Sequence, residues 1–306
     1  MMQAPHAEPA TSAHPVGLPV QDDERSTSLP AAIRRRAVNA IGRVSREPPF
    51  RLLSRFALKH LRVSVDSRAN WDISERPAYL LGLLTAAKQA NEERRTAISA
   101  IEFGVAGGRG LLALQWEADA VEKEYGVEIR VYGFDMGASG LPELIGDHRD
   151  HPEKFKRGDF PMAETELRAR LSSRTELIIG NVRDTVEAFV ESKPPPLGFV
   201  AFDMDLYSST RDAFRILTHP ERRMLVHCPL YFDDLGSFSY HDDAGELLAI
   251  RELNERAGKV KIHPWLGVRH GRPFPEAPYL DHMYVAHDLE GASRSNIDRP
   301  VAMLSL

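Results

Sequence analysis

The chain has 306 residues with 42% apolar and 27% charged content, enough to bury a sizeable core, so one large domain with appendages is expected. A formal net charge of -5 lacks the strong basic excess of a dedicated nucleic-acid binder, and no nucleic-acid partner is expected. The lone cysteine, Cys228, excludes an internal disulfide and reads as a buried structural thiol; with no membrane-length apolar run and no apolar signal core, a cytoplasmic protein without a membrane partner is expected.

Residues 1–30 are rich in Pro, Ala, Ser and His without apolar periodicity, the composition of a disordered tail. Residues 31–73 form a basic extension in which apolar residues recur at helical spacing beside Arg34, Arg35, Arg36, Arg43, Arg46, Arg51, Arg55, Lys59 and Arg62, broken at Pro48-Pro49. Such a segment suits a membrane surface or an acidic partner, but a helical cap with a solvated charged face is the commoner case. Ser74-Glu-Arg-Pro-Ala-Tyr79 then reads as a helix start, with Ser74 as N-cap and Pro77 in the first turn.

From residue 74 to 290 strand and helix patterns alternate. Strands are predicted at Ile98, Val127–Asp135, Thr175–Asn181, Leu197–Asp203, Arg223–Asp234, Lys259–Trp265 and His282–His287. Helices are predicted at Leu111–Tyr125, from about Met162, and at Val182–Val190, Ser209–Leu217 and Gly245–Ala257. This order implies an α/β fold: a doubly wound, mostly parallel, seven-stranded Rossmann-like sheet whose ligands gather at the carboxyl ends of the strands. Residues 291–306 read as a carboxyl-terminal tail.

The stretch Glu102-Phe-Gly-Val-Ala-Gly-Gly-Arg-Gly110 breaks an apolar strand with four glycines. Parsed from Gly108, Gly108-Arg-Gly-Leu-Leu-Ala113 satisfies the dinucleotide pattern G-x-G-x-x-A, with Asp135 at the distance of a ribose-binding acid. Parsed from Glu102, an acid precedes Gly104, Gly107 and Gly108, and a carboxylate there suits a ligand ammonium and repels a pyrophosphate. The acid favours S-adenosylmethionine over NAD. Asp135, ending Gly133-Phe-Asp135, can accept both ribose hydroxyls, although taken alone it reads equally well as a solvated loop acid. Asn181 suits an adenine contact or a turn.

A second constellation joins Asp203-Met-Asp-Leu-Tyr-Ser-Ser-Thr210 to Tyr231-Phe-Asp-Asp-Leu235. Carboxylates from adjacent strand ends can converge on a hard divalent cation such as Mg²⁺, while helix caps and loop acids are the bland alternative.

Together, Glu102-Phe-Gly-Val-Ala-Gly-Gly108, Phe134-Asp135 with Gly140-Leu-Pro142, Asp203-Met-Asp-Leu-Tyr-Ser-Ser-Thr210 and Asp233-Asp234 resemble the macrocin O-methyltransferase-type family. Its members are class I, metal-dependent S-adenosylmethionine methyltransferases that methylate sugar hydroxyls of natural products. The resemblance spans about residues 76–289, and the aspartate-rich stretch is its most specific part. It implies that Glu102, Gly104, Gly107, Gly108 and Asp135 hold S-adenosylmethionine, and that Asp203, Asp233 and Asp234 hold Mg²⁺. It further implies that Asp203 serves as general base on a hydroxylated small molecule, that Asp205 and Tyr207 support the loop, and that a homo-oligomer is plausible. His219-Pro-Glu-Arg-Arg-Met224 replaces the family's Gly-Gly turn, and His227-Cys-Pro229 lies inside the strand that follows. Chain-specific loops at Ser237–Asp243 and Gly267–Pro278 leave the acceptor's identity open, as they do N- or C-methylation.

His241, His263, His270 and His282 lack tight metal-ligand spacing and read as surface or loop residues; His241, following the acid pair within a lid-like loop, is the candidate second catalytic residue. No G-x-S-x-G elbow supports a serine nucleophile. A non-catalytic S-adenosylmethionine-binding scaffold and an NAD-dependent oxidoreductase are the competing readings.

Overall fold

The computed structural model describes residues 63–235 and 241–294, together with Leu53, Phe56 and Leu61. The tail at 1–30, the basic segment up to residue 62 apart from those three, and the end of the chain from residue 295 lie outside the described residues, as does part of the predicted loop before His241.

Seven strands form one sheet: β1 (Ala97–Phe103), β2 (Glu128–Asp135), β3 (Thr175–Ile179), β4 (Leu197–Phe202), β5 (His227–Phe232), β6 (Val260–Pro264) and β7 (Met283–Asp288). Their order is β3-β2-β1-β4-β5-β7-β6. β1 to β5 pair in parallel, and β7 enters antiparallel between β5 and β6. The predicted doubly wound, mostly parallel sheet is thus observed, with β7 as its one reversed strand.

Every residue of β4 is buried, as expected of a strand covered on both faces. One face carries α2 (Pro77–Glu92) and α3 (Arg109–Tyr125), whose Tyr79, Leu80, Leu83, Leu111 and Leu114 pack onto Ile98, Ala100 and Phe199. The other carries α5 (Val182–Glu191), α6 (Tyr207–Ala213) and α8 (Gly245–Glu255), with Val186, Phe189, Ala213, Leu248 and Leu253 against Ile101, Val200 and Leu230. The remaining helices are short: α1 (Val65–Asn70), α4 (Glu164–Arg168), α7 (Arg215–Thr218) and α9 (Leu289–Arg294).

A row of phenylalanines crosses the sheet just below its carboxyl edge. Phe103 is register partner of both Phe134 and Phe202, and Phe202 of Phe232. Their rings follow at centroid distances of 4.7, 5.4 and 4.9 Å. Each such pair adds about 0.5–1.5 kcal/mol beyond the apolar area it buries. The next residue in each strand is Gly104, Asp135, Asp203 or Asp233, so the row aligns the four strand ends that build the site.

Several sequence expectations shift at element ends. α2 is capped by Arg76 rather than Ser74; the Ser74 hydroxyl accepts from the Arg76 N–H at 3.1 Å and donates to Glu117 at 2.7 Å. β5 begins at His227, four residues after the predicted start, and it tolerates Pro229 because its ladder with β4 begins one residue later, at Leu230. The packed unit also begins before residue 74: Ser64 caps α1, and Arg272 forms a buried ion pair with Asp72 at 2.8 Å. No helix among the described residues is long and apolar enough to cross a membrane.

Candidate functional site

The glycine loop is shaped by contacts that leave no room for side chains at two positions. Gly104 has φ +80°, and a Cβ there would lie 1.7 Å from the Asp203 carbonyl oxygen, so the chain leaves β1 with its backbone in contact with the end of β4. A Cβ on Gly110 would lie 1.7 Å from Glu102 Oε1, so the first turn of α3 sits directly over that carboxyl group. Gly108 caps α3 in the left-handed region, and Gly107 faces open space.

Glu102 is 1% exposed, with the Tyr79 hydroxyl donating to its Oε1 at 2.7 Å and no partner on Oε2. Burial pushes its pKa up to about 8, against the pull of Tyr79 and Arg76. Arg76 lies over the Tyr79 ring and 3.7 Å from Asp233 Oδ1, which also accepts from the Tyr231 hydroxyl at 2.6 Å. Arg76, Tyr79 and Tyr231 were not singled out from the sequence; an Arg before a helix-opening Pro and tyrosines within apolar runs carry no spacing that marks a site.

Asp135 Oδ2 accepts from the Val105 and Ala106 N–H groups at 2.9 and 2.8 Å, and Oδ1 from Gly137 N–H at 2.6 Å. It ties the glycine loop to the end of β2. Burial nevertheless raises its pKa above the usual carboxylate value. Asn181 caps α5, its side chain accepting from Arg183 N–H at 2.9 Å.

Asp203, Asp233 and Asp234 offer ligand oxygens that all lie within 4.8 Å of one another, each carboxylate only partly exposed. Burial, then the negative charges of Asp233 and Asp234, push the Asp203 carboxyl up to about 9. Asp234 and Asp205 are raised as well, first by burial. Asp205, at φ +58°, donates its N–H to Asp234 Oδ2 at 3.0 Å, and Asp234 N–H donates to the buried Glu246 at 3.1 Å. Tyr207 joins α6 to α8 through a 2.7 Å bond to Glu252. Three crowded acids, of which Asp203 and Asp234 are held back from ionising, are a donor set that a hard dication would satisfy, and all-oxygen ligation fits Mg²⁺.

Both constellations open onto one cleft of about 270 Å³. Gly104, Asp135, Asn181, Asp203, Asp233 and Asp234 line it, with Met136, Leu141, Pro142 and Phe160 giving an apolar wall. Asp150 fixes the loop bearing that wall, accepting from Ile145 N–H at 3.0 Å and from the Ser208 N–H and hydroxyl at 2.8 and 2.7 Å. Glu102 lies beneath the cleft, and Gly107 and Gly108 shape its loop without lining it. His241 stands outside the lining; its Nδ1 accepts from Asp243 N–H at 3.2 Å, and its ring lies 6.2 Å from that of His151. The cleft can hold a nucleoside on its apolar side and a dication on its acidic side.

Fold and site together define a Rossmann-like α/β protein with an acidic cleft at the strand ends. Its chain path is similar to that of CalS11, a calicheamicin methyltransferase, at 18% identity and a TM-score of 0.46, over 79% of this chain and 93% of that one. It is also similar to the O-methyltransferase NovP, at 18% identity and a TM-score of 0.40 over 52% and 65% of the two chains. A third is the mycinamycin-pathway methyltransferase MycE, described in complex with Mg, S-adenosylhomocysteine and mycinamycin VI, at 16% identity and a TM-score of 0.28, over 48% and 32%. No protein-family profile and no curated protein sequence matches the chain. Its functional reading therefore rests on the cleft itself.

Proposed function

We propose that the protein is an S-adenosylmethionine-dependent, Mg²⁺-assisted O-methyltransferase acting on a hydroxyl of a small molecule, with a sugar or glycosylated metabolite as the acceptor class. The observation that carries this reading is the meeting of the glycine loop, Asp135 and the triad Asp203, Asp233 and Asp234 in one cleft.

Glu102, kept largely protonated by burial in the free protein, would ionise against the cofactor's ammonium group, and the backbone around Gly104 allows close approach. Asp135 receives a ribose hydroxyl on the one Oδ1 lone pair that its three loop bonds leave free. Asn181, Met136 and Leu141 enclose the adenine. Asp203, Asp233 and Asp234 would hold Mg²⁺, which when bound supplies Lewis acidity that lowers the pKa of an acceptor hydroxyl. Asp203 accepts the hydroxyl proton, and the apolar loop bearing Leu141 and Phe160 keeps water from the transferring methyl group. His241 is the acceptor-side residue proposed to assist from the segment that follows the acid pair. An NAD-binding role is disfavoured by buried Glu102 and by the reversed β7, since the dinucleotide fold runs its strands in parallel in the order 3-2-1-4-5-6.

The test is turnover with a panel of nucleotide-activated and glycoside-linked sugars, read as S-adenosylhomocysteine formed. Asp203→Asn is expected to lower the rate at least about a thousandfold while leaving S-adenosylmethionine binding within a few-fold. Wild-type rates in that variant, or in the presence of chelator, contradict the metal-assisted reaction.

A further inference from the structure

The histidines at the opposite end of the sheet take no part in the cleft. His227 opens β5, His287 lies near the end of β7, and the two are directly opposed in the antiparallel ladder, so their side chains leave the same face. Lys261 of β6 is opposed to His287, and His263 lies two residues beyond it on that face, diagonal to His287. Because β7 runs antiparallel to β5, this group sits at the amino end of β5, whereas Asp233 and Asp234 follow its carboxyl end.

The Nδ1 atoms of His227 and His287 share a hydrogen bond of 3.1 Å, one ring donating and the other accepting according to tautomer, and their ring centroids are 5.2 Å apart. Two imidazole nitrogens bound to one tetrahedral Zn²⁺ at about 2.0–2.1 Å are separated by about 3.3 Å, and at a right angle by about 2.9 Å. Their rings then sit with centroids about 5 Å apart. The observed pair matches on both measures. The His263 ring lies 5.9 Å from that of His287, and as an exposed side chain it can turn toward the pair. The neighbouring Lys261 ammonium is drawn away, donating to the carbonyls of Asn254 and Arg256.

We propose that His227, His287 and His263 form a second metal site, for a borderline transition-metal dication of the Zn²⁺ class, clasping β5, β7 and β6 at the end of the sheet remote from the cleft. Two ligands stand at ligating separation, and His263, which does not close a three-ligand set in its present place, must move toward them to supply the third, with water completing the shell. Imidazole nitrogens suit Zn²⁺, Ni²⁺ and Cu²⁺, whereas the oxygen triad suits Mg²⁺, so the two sites sort cations by ligand softness. Cross-strand histidines were not visible as a ligand set in the sequence, because 60 residues separate the opposed pair.

The test is Zn²⁺ titration of the full-length, tag-free chain in a non-coordinating buffer containing millimolar Mg²⁺. We expect His287→Ala to weaken binding of one Zn²⁺ equivalent at least a hundredfold and His263→Ala about tenfold, while Asp203→Asn leaves it unchanged. Co²⁺ bound to the wild type is expected to give the intense visible absorption of a tetrahedral nitrogen-ligated ion, lost in the His227→Ala, His287→Ala double variant. Equal Zn²⁺ affinity in wild type and the double variant, or loss confined to Asp203→Asn, overturns the proposal.

Discussion

Glu102 shows how a buried carboxyl group without a tight cation partner is accommodated. Burial raises its pKa to about 8, so near neutral pH much of it is protonated, and Tyr79 binds one oxygen. Removing that hydroxyl by Tyr79→Phe is expected to cost about 1–2 kcal/mol, read by denaturant unfolding. Glu102→Gln makes the group permanently neutral, so it is expected to raise the melting temperature at pH 8 while weakening S-adenosylmethionine binding at least about tenfold. Unchanged cofactor affinity in that variant would remove Glu102 from the ammonium site. At Gly104, where a Cβ would meet the Asp203 carbonyl at φ +80°, Gly104→Ala is expected to cost about 2 kcal/mol or more and to abolish cofactor binding, measured by thermal unfolding with and without S-adenosylhomocysteine. At this scale the acids and glycines were legible because each ends or interrupts an apolar run. Tyr79, Arg76 and Glu246 were not, because their roles arise from distant segments that only the folded sheet brings near.

Among the elements, the phenylalanine row explains why strand-end acids read from sequence fall into one cleft. Phe103, Phe134, Phe202 and Phe232 occupy equivalent register positions, and the residue after each faces the site. The pattern is visible in the chain as four Phe-Gly or Phe-Asp pairs, but which strands are adjacent is not. Phe202→Ala, at the centre of the row and fully buried, is expected to destabilise by about 3–5 kcal/mol in denaturant unfolding. The sheet and its long helices were legible from hydrophobic period, whereas the start of α2 shifted because the Ser74 hydroxyl found other partners. Ser74 reads as a cap but spends its oxygen on Arg76 N–H and its hydrogen on Glu117. The Asp72–Arg272 pair joins segments 200 residues apart and has no local signature.

For the whole molecule, the raised carboxyl groups tie stability to pH in a definite direction. Glu102 and Asp203 keep protons in the folded state up to about 8 and about 9, whereas the unfolded chain releases them near 4.5 and 3.8. The folded state therefore binds more protons between these limits, and metal-free protein is expected to lose stability as pH rises from about 4 to about 9. Mg²⁺ requires ionised ligands, so the increase in melting temperature it confers is expected to grow across the same window. A metal effect independent of pH would contradict Asp203 as a ligand. The central claim, that one cleft holds S-adenosylmethionine beside an acidic metal triad, is tested most directly by calorimetric titration of the Mg²⁺-loaded protein with S-adenosylhomocysteine and, separately, with NAD⁺. The expected result is saturable one-to-one binding of S-adenosylhomocysteine and no binding of NAD⁺; saturable NAD⁺ binding with none of S-adenosylhomocysteine would contradict it.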